Sequence, residues 1–99
     1  MTTNTTTART IAEQIGSKAF FMIGAKNLVA SENGLTFKVG RNTKGVSHIR
    51  VTLTPEDLYK MEFISVRGTS VKTKAEVEGI YFDMLNKMIE ANTGLYTSL

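Results

Sequence analysis

Apolar residues occupy every second position on both sides of one short turn, and this alternation constrains the fold more than any other feature of the chain. The six alternating residues are Ile49, Val51, Leu53, Tyr59, Met61 and Phe63. A period of two predicts β-strands with one buried face, and the intervening TPEDL, residues 54–58, predicts a chain reversal. Pairing Val51 with Met61 keeps the apolar faces together and sets Arg50 opposite Glu62. The segment is therefore predicted to be an antiparallel hairpin.

A second hairpin is predicted between residues 25 and 39. Asn33-Gly34 supplies positive φ at both centres of a two-residue turn, and apolar residues alternate on either side of it. With that dipeptide as the loop, Ala30 faces Phe37 across the ladder. The next segment, GRNTKG, is predicted to be an exposed loop between strands.

The N-terminal region predicts a helix. Thr10 and Glu13 have the spacing of a capping box, with Thr7 as an alternative start, and the helix is predicted to stop near Gly16. Residues 18–23 predict either a continuation of this helix or a short buried strand, because the apolar run is too short for its period to distinguish the two. We favour the strand.

A C-terminal helix is predicted from Thr73 to Ala91. Thr73 and Glu76 form another capping box, and Gly94 is placed to end the helix. Gly68 is expected to end the preceding strand, which leaves residues 69–72 as a connector. Helical spacing relates the apolar residues of the helix, which are Val77, Ile80, Tyr81, Met84, Leu85 and Met88.

Together these elements predict an α+β fold. It is a two-layer sandwich in which an antiparallel sheet of four to five strands carries an N-terminal and a C-terminal helix on one face. With 99 residues, 41% of them hydrophobic, the chain is expected to form a single domain over residues 1–99. Residues 1–7 are expected to be a flexible Thr-rich tail.

The composition also bears on the compartment. The chain has no Cys, which excludes disulfides and thiolate metal sites. No apolar run approaches the roughly 18 residues that span a bilayer, and the N-terminal residues lack the pattern of a secretory signal. We therefore expect a cytoplasmic protein that does not associate with membranes.

Positive charge is concentrated in the middle of the chain. Residues 36–74 carry eight Lys or Arg and three acidic residues, whereas residues 75–99 carry one Lys and four acidic residues. A basic surface of this kind can neutralise phosphates, with an affinity that falls as salt rises. We therefore expect nucleic acid as a partner, bound through Lys38, Arg41, Lys44, Arg50 and Lys60. The alternative is that these side chains are only the solvated face of an ordinary sheet.

Aromatic residues are not interleaved with the basic ones on a common strand face. Phe37 alternates with Lys38, and Tyr59 and Phe63 lie on the opposite side of their strand from Lys60. Single-strand binding surfaces usually combine stacking rings with basic side chains. The pattern disfavours such a stacking platform and leaves phosphate contact through GRNTKG.

Motifs for catalysis are not recognisable in the sequence. GRNTKG has the outer glycine spacing of a P-loop, but Val46-Ser47 stands where that motif requires Lys followed by Ser or Thr. His48 is the only histidine, and its predicted place on an outward strand face favours a solvated residue over a general base. The adjacent carboxylates of TPEDL fit a turn. We therefore expect no metal, no cofactor and no enzymatic activity.

One feature favours a protein partner. Phe82 and Ile89 fall outside the main apolar stripe of the predicted C-terminal helix and widen its apolar arc beyond what packing on one sheet requires. Either the tail LYTSL covers this flank or a second subunit does. The alternative to nucleic-acid binding is therefore a protein-interaction module, either a homodimer or an inhibitor of a host factor, with Phe82 and Ile89 at the interface.

Several stretches resemble a group of small proteins encoded in bacteriophages and prophages. The stretches are GAKNLV, ENGLTF, IRVTLTPEDLYKMEF, VRG and TGLYTSL, and they span most of the chain after the Thr-rich start. The resemblance implies a phage setting and the cytoplasm of the host cell. It implies a small accessory protein and transfers no activity, cofactor or site residue.

Overall fold

The computed structural model describes residues 6–31 and 33–97, in which two helices precede five antiparallel strands and a third helix follows them. The elements are α1 (Thr6–Ile15), α2 (Ser17–Met22), β1 (Lys26–Ser31), β2 (Gly34–Lys38), β3 (His48–Leu53), β4 (Tyr59–Arg67), β5 (Ser70–Ile80), a 3-10 turn (Phe82–Met84) and α3 (Leu85–Thr93). No helix in these ranges is long and apolar enough to cross a membrane.

The five strands form one sheet in the order β1-β2-β3-β4-β5, so each strand pairs with its neighbours in sequence. Alternate residues of the strands point to one face, where they join residues of all three α-helices in a single core. Its fully buried members include Ile11, Phe37, Met61, Phe63 and Ile89. The α+β sheet and helices predicted from the sequence are confirmed, and the opposite side of the sheet is hereafter called the open face.

The β3–β4 hairpin has the predicted register. Val51 pairs with Met61 on the core side, and Arg50 pairs with Glu62 on the open face. The Arg50 guanidinium lies 3.7 Å from the Glu62 carboxylate. Alternation and turn position were sufficient to predict this register, because a slip of one residue would expose every buried side chain of a strand.

The first hairpin forms, but its predicted register is wrong by two positions. Ala30 pairs with Leu35 instead of Phe37, and Ser31 pairs with Gly34. Gly34 is therefore a strand residue of β2 and not a turn residue. A Cβ at this position would overlap the carbonyl oxygen of Val51, so the glycine permits close approach of β3.

Residues 18–23, for which we favoured a strand, lie mostly in α2. Gly16, at φ 90°, separates α1 from α2. Ala19 and Ile23 are buried one helical turn apart, and the Phe20 ring packs edge-on against Phe37 at 5.2 Å between centroids. Helical spacing brings these apolar residues into the core, because α2 packs over the sheet instead of adding a strand to it.

The first helix begins earlier than the capping box at Thr10 predicts, and within one residue of the alternative start at Thr7. α1 includes Thr6 and Thr7, so these two residues of the expected tail are helical, while residues 1–5 lie outside the described residues. Thr10 is inside the helix, where its hydroxyl donates a 3.0 Å hydrogen bond to the Thr6 carbonyl. A threonine whose spacing fits an N-cap can therefore lie inside a helix instead, where its hydroxyl bonds to the carbonyl one turn earlier.

The largest correction concerns residues 70–80, which form strand β5 and not the first turns of a helix. Gly68-Thr69 makes a two-residue turn between β4 and β5, with Arg67 paired to Ser70. Ala75 and Val77 point to the core in alternation with acidic residues, so the segment satisfies a period of two. The edge of β4 supplies hydrogen-bond partners that outweigh local helix preference.

The C-terminal helix begins only at Leu85, and Gly94 ends it at φ 78° as predicted. Ile89 is fully buried in the core, so it is not available for the predicted interface. Phe82 lies before the helix, in the 3-10 turn, and 62% of its surface is exposed. The wide apolar arc was an artefact of extending the helical wheel over residues that belong to β5.

Candidate nucleic-acid interface

The loop between β2 and β3 is held in one shape by the side chain of Asn42. Its amide nitrogen donates to the carbonyls of Gly40 and Val46, at 2.9 and 2.7 Å. Its amide oxygen accepts from the backbone N–H groups of Lys44 and Val46, at 3.2 and 3.1 Å. This Asx network fixes the backbone that carries Arg41 and Lys44.

The turn end of the β4–β5 hairpin brings further cations to the same region. Arg67 is the last residue of β4, and Lys72 is in β5 opposite Ser65. Lys74 occupies a β-bulge, because Phe63 pairs with Ala75 while Ile64 pairs with Thr73. A bulge re-aims the side chain of its extra residue, and Lys74 lies beside both Arg67 and Lys44 in the concavities below.

Three adjoining surface concavities of about 250, 420 and 230 Å³ lie along the loop and the hairpin, and the third is also lined by Ala91 and Asn92 of α3. Arg67 and Ser65 are shared by the first and second, Lys74 by the first and third, and Val46 by the second and third. Six cations line them, and no acidic residue does. We call this surface the basic groove and define it by Lys38, Arg41, Lys44, Arg67, Lys72 and Lys74.

The cations of the basic groove have no carboxylate partner within residues 6–31 and 33–97. Both ion pairs of this part of the chain lie on the open face, where Arg50 is 3.7 Å from Glu62 and Lys60 is 3.6 Å from Glu76. Arg50 and Lys60, predicted as phosphate contacts, are thus paired with carboxylates outside the groove.

Lys38 has a second lysine as its cross-strand neighbour. Lys26 of β1 lies directly opposite Lys38 of β2, and both side chains are exposed. Like charges directly across a ladder destabilise an antiparallel pair. A bound anion would relieve this repulsion, so the pair adds to the attraction of the basic groove for negative charge.

Ser47 connects the loop to the β4–β5 hairpin. Its hydroxyl accepts a 2.8 Å hydrogen bond from the Val66 N–H and lies 3.2 Å from the carbonyl oxygen of Ile64. The Ser47 hydroxyl oxygen also lies 2.8 Å from Nδ1 of His48. Since Ser47 and Val66 line one concavity, these contacts set the distance between the two halves of the basic groove.

Sequence reasoning placed Lys38, Arg41 and Lys44 among the site residues, and the fold brings these three together. It did not include Arg67, Lys72 and Lys74, because residues 69–72 were predicted to be a connector and Thr73 a helix cap. The signal that was available is the Gly68-Thr69 pair between two stretches with valines at matching positions, Val66 and Val71, which favours a tight hairpin.

No group of three or more His, Cys, Asp or Glu that could hold a metal occurs in the described part of the chain. Comparison of the sequence with protein-family models, with curated proteins and with solved structures found no match.

Proposed function

We propose that this protein binds nucleic acid by contacting phosphates with the basic groove, as a non-enzymatic accessory protein of a bacteriophage in the host cytoplasm. The observation that carries the proposal is the convergence of six cations on three adjoining concavities that no carboxylate lines. The phage setting rests on the resemblance of the sequence stretches given above.

The extent of the basic groove favours a polymer over a small anion. A single phosphate needs one cluster of donors, whereas these cations are distributed over three adjoining concavities. Repeated phosphates along a backbone match such a distribution. Hydroxyl groups of Ser65 and Ser70 in the lining add hydrogen-bond donors of the kind that contact phosphate oxygens.

Binding of this kind is tested by its salt dependence. The groove variant carries Lys38→Gln, Arg41→Gln and Lys44→Gln. A matched control carries Arg9→Gln, Lys18→Gln and Lys87→Gln, which removes the same charge from exposed positions on the three α-helices. Binding to a labelled duplex is measured by fluorescence anisotropy over a series of salt concentrations.

We expect the wild type and the control to bind with similarly steep salt dependence. Each lost phosphate contact lowers the slope of log K against log salt by about 0.9 for B-form DNA, so the groove variant should be shallower by about 2.7. Equal slopes for the two variants would show that net charge, and not the basic groove, determines binding. A wild type without affinity for any nucleic acid would overturn the proposal.

A second candidate function is a protein-interaction module, and the exposure of two adjacent aromatic residues favours it. Tyr81 and Phe82 expose 61% and 62% of their surface at the junction between β5 and α3. Exposed aromatic side chains are enriched at protein interfaces. Light scattering at high concentration tests the homodimer, and a Tyr81→Ala, Phe82→Ala variant should then become monomeric.

A further inference from the structure

The turn end of the β4–β5 hairpin is a two-stranded ribbon that lies outside the core. Every residue from Val66 to Lys74 is exposed, whereas Ile64 and Ser65, which precede them on β4, are buried. Val71 exposes 70% of its surface. The ribbon, residues 65–72, has the buried Ser65 at its base and is joined to the β2–β3 loop at Val66, whose N–H donates to the Ser47 hydroxyl.

The dimensions of the ribbon match a groove of duplex DNA. Three residue pairs, Ser65 with Lys72, Val66 with Val71 and Arg67 with Ser70, precede the turn. At about 3.4 Å per residue they span about 10 Å. The length of the ribbon is thus close to the depth of the major groove of B-form DNA, which is about 8.5 Å. That groove is about 12 Å wide and admits a two-stranded ribbon.

Only the turn end of β5 carries the positive charge that attracts DNA phosphates. Lys72 and Lys74 lie near the turn, whereas Glu76 and Glu78 lie towards the far end of the strand. One side of the ribbon is also a wall of the basic groove, which is lined by Ser65, Arg67, Ser70 and Lys72. A duplex that takes the ribbon into a groove therefore presents its flanking phosphates to Arg41, Lys38 and Lys44.

From this arrangement we infer that the ribbon, residues 65–72, enters the major groove of duplex DNA while the basic-groove cations outside the ribbon, among them Arg41 and Lys44, bind the flanking phosphate backbone. The inference rests on the proposed function and specifies its substrate class. No aromatic residue lines the basic groove or lies in the ribbon, so neither offers the stacking platform typical of single-strand binding. The major groove of A-form RNA is too deep and narrow for protein side chains to read.

The first test compares two duplexes of one sequence, one unmodified and one in which the cytosines carry glucosylated 5-hydroxymethyl groups. The sugar fills the major groove and leaves the phosphates in place. We expect the wild type to bind the glucosylated duplex at least tenfold more weakly than the unmodified one. The single strand of that sequence should also bind at least tenfold more weakly than the unmodified duplex.

The second test locates the turn in the complex. Because the chain contains no Cys, the exposed substitution Thr69→Cys introduces a unique thiol. That thiol should exchange with a mixed disulfide tethered to cytosine N4, in the major groove, and not with one tethered to guanine N2, in the minor groove. Ser17→Cys, exposed on α2, is the matched control and should react with neither.

The outcomes separate this inference from the proposed function. Equal affinity for both duplexes, or exchange of the Thr69→Cys thiol with the guanine tether, would overturn the placement of the ribbon while phosphate binding by the basic groove stands. Equal affinity for single strand and duplex would likewise overturn the choice of duplex DNA. Absence of binding to every one of these probes would overturn both proposals together.

Discussion

Thr97 donates two hydrogen bonds to the same carboxylate oxygen of Glu90, one from its backbone N–H at 2.9 Å and one from its hydroxyl at 2.8 Å. Gly94 ends α3 between these two residues, so the bonds hold the returning chain against the helix that it has just left. They favour the ionised carboxylate and therefore lower the pKa of Glu90.

This pKa shift predicts a pH-dependent contribution to stability. With its pKa below the ordinary value of about 4.3, ionised Glu90 stabilises the folded state above that pH, and the contribution is lost as pH falls through the folded pKa. We expect Glu90→Gln to flatten the dependence of the urea midpoint on pH below about 4.3. Thr97→Val, which keeps the N–H bond, should flatten it only partly, and identical acid profiles for all three proteins would contradict the assignment.

Gly34 is expected to tolerate no side chain. A Cβ there would overlap the backbone of Val51, and overpacking against rigid backbone costs about 3 kcal/mol. Gly68, at φ 58° with open space around it, should lose only about 1 kcal/mol in a Gly68→Ala variant, from its left-handed backbone. Urea unfolding of Gly34→Ala and Gly68→Ala measures the difference, and similar losses would contradict the close approach of β2 and β3.

Asn42 should affect DNA binding without changing the charge of the protein. Loss of its four hydrogen bonds in Asn42→Ala is expected to destabilise the fold by about 2 kcal/mol. It should also weaken DNA binding, because Arg41 and Lys44 lose their fixed backbone. Asn33→Ala, at an exposed position, is the control, and anisotropy titrations well below the unfolding temperature compare the two. Unchanged DNA affinity in Asn42→Ala would separate the loop from binding.

The cations of the open face should contribute little to the stability of the fold or to the affinity for DNA. Arg50→Gln and Lys60→Gln each break a partly exposed ion pair, for which the usual contribution is about 0–1 kcal/mol. We expect DNA affinity in these variants to stay close to that of the wild type. A loss as large as that of the groove variant would instead place the duplex on the open face.

Ile89 and Phe82 should differ sharply, although the sequence placed them on one apolar arc. Ile89→Ala leaves a cavity in the core and is expected to cost about 2–5 kcal/mol. Phe82→Ala removes an exposed ring and should change the stability of the monomer by about 0.5 kcal/mol or less. Denaturation over a range of protein concentrations would reveal a dimer as a concentration-dependent effect of Phe82→Ala.

The sequence was sufficient for β3 and β4, where only one period fits and the turn between them is well marked. It was ambiguous over residues 70–84, because Val77, Ile80 and Met84 recur at helical spacing while Ala75 and Val77 also alternate with carboxylates. The ambiguity was resolved by β4, which offers a strand edge beside this segment. A local sequence pattern does not show which strand lies beside a segment in the folded protein.

The candidate site was predictable in part for the same reason. The excess of cations between residues 36 and 74 is a property of composition, and it indicated a basic surface. Which cations meet depends on strand pairing, since β5 brings Lys72 and Lys74 beside Arg67, while the β3–β4 register assigns Arg50 to Glu62. The correct register of that hairpin already placed Arg50 in an ion pair, on the face away from the helices.

The sequential order of the strands has a consequence for how this chain folds during synthesis. Every sheet neighbour is also a neighbour along the chain, so each hairpin can close as soon as its second strand leaves the ribosome. The contact that must wait is the one between the two ends, where the Asn86 amide donates to the Ile15 carbonyl at 3.1 Å. Until α3 is synthesised, α1 can pack against β2 but lacks this partner, and α3 is therefore expected to complete the helical layer last.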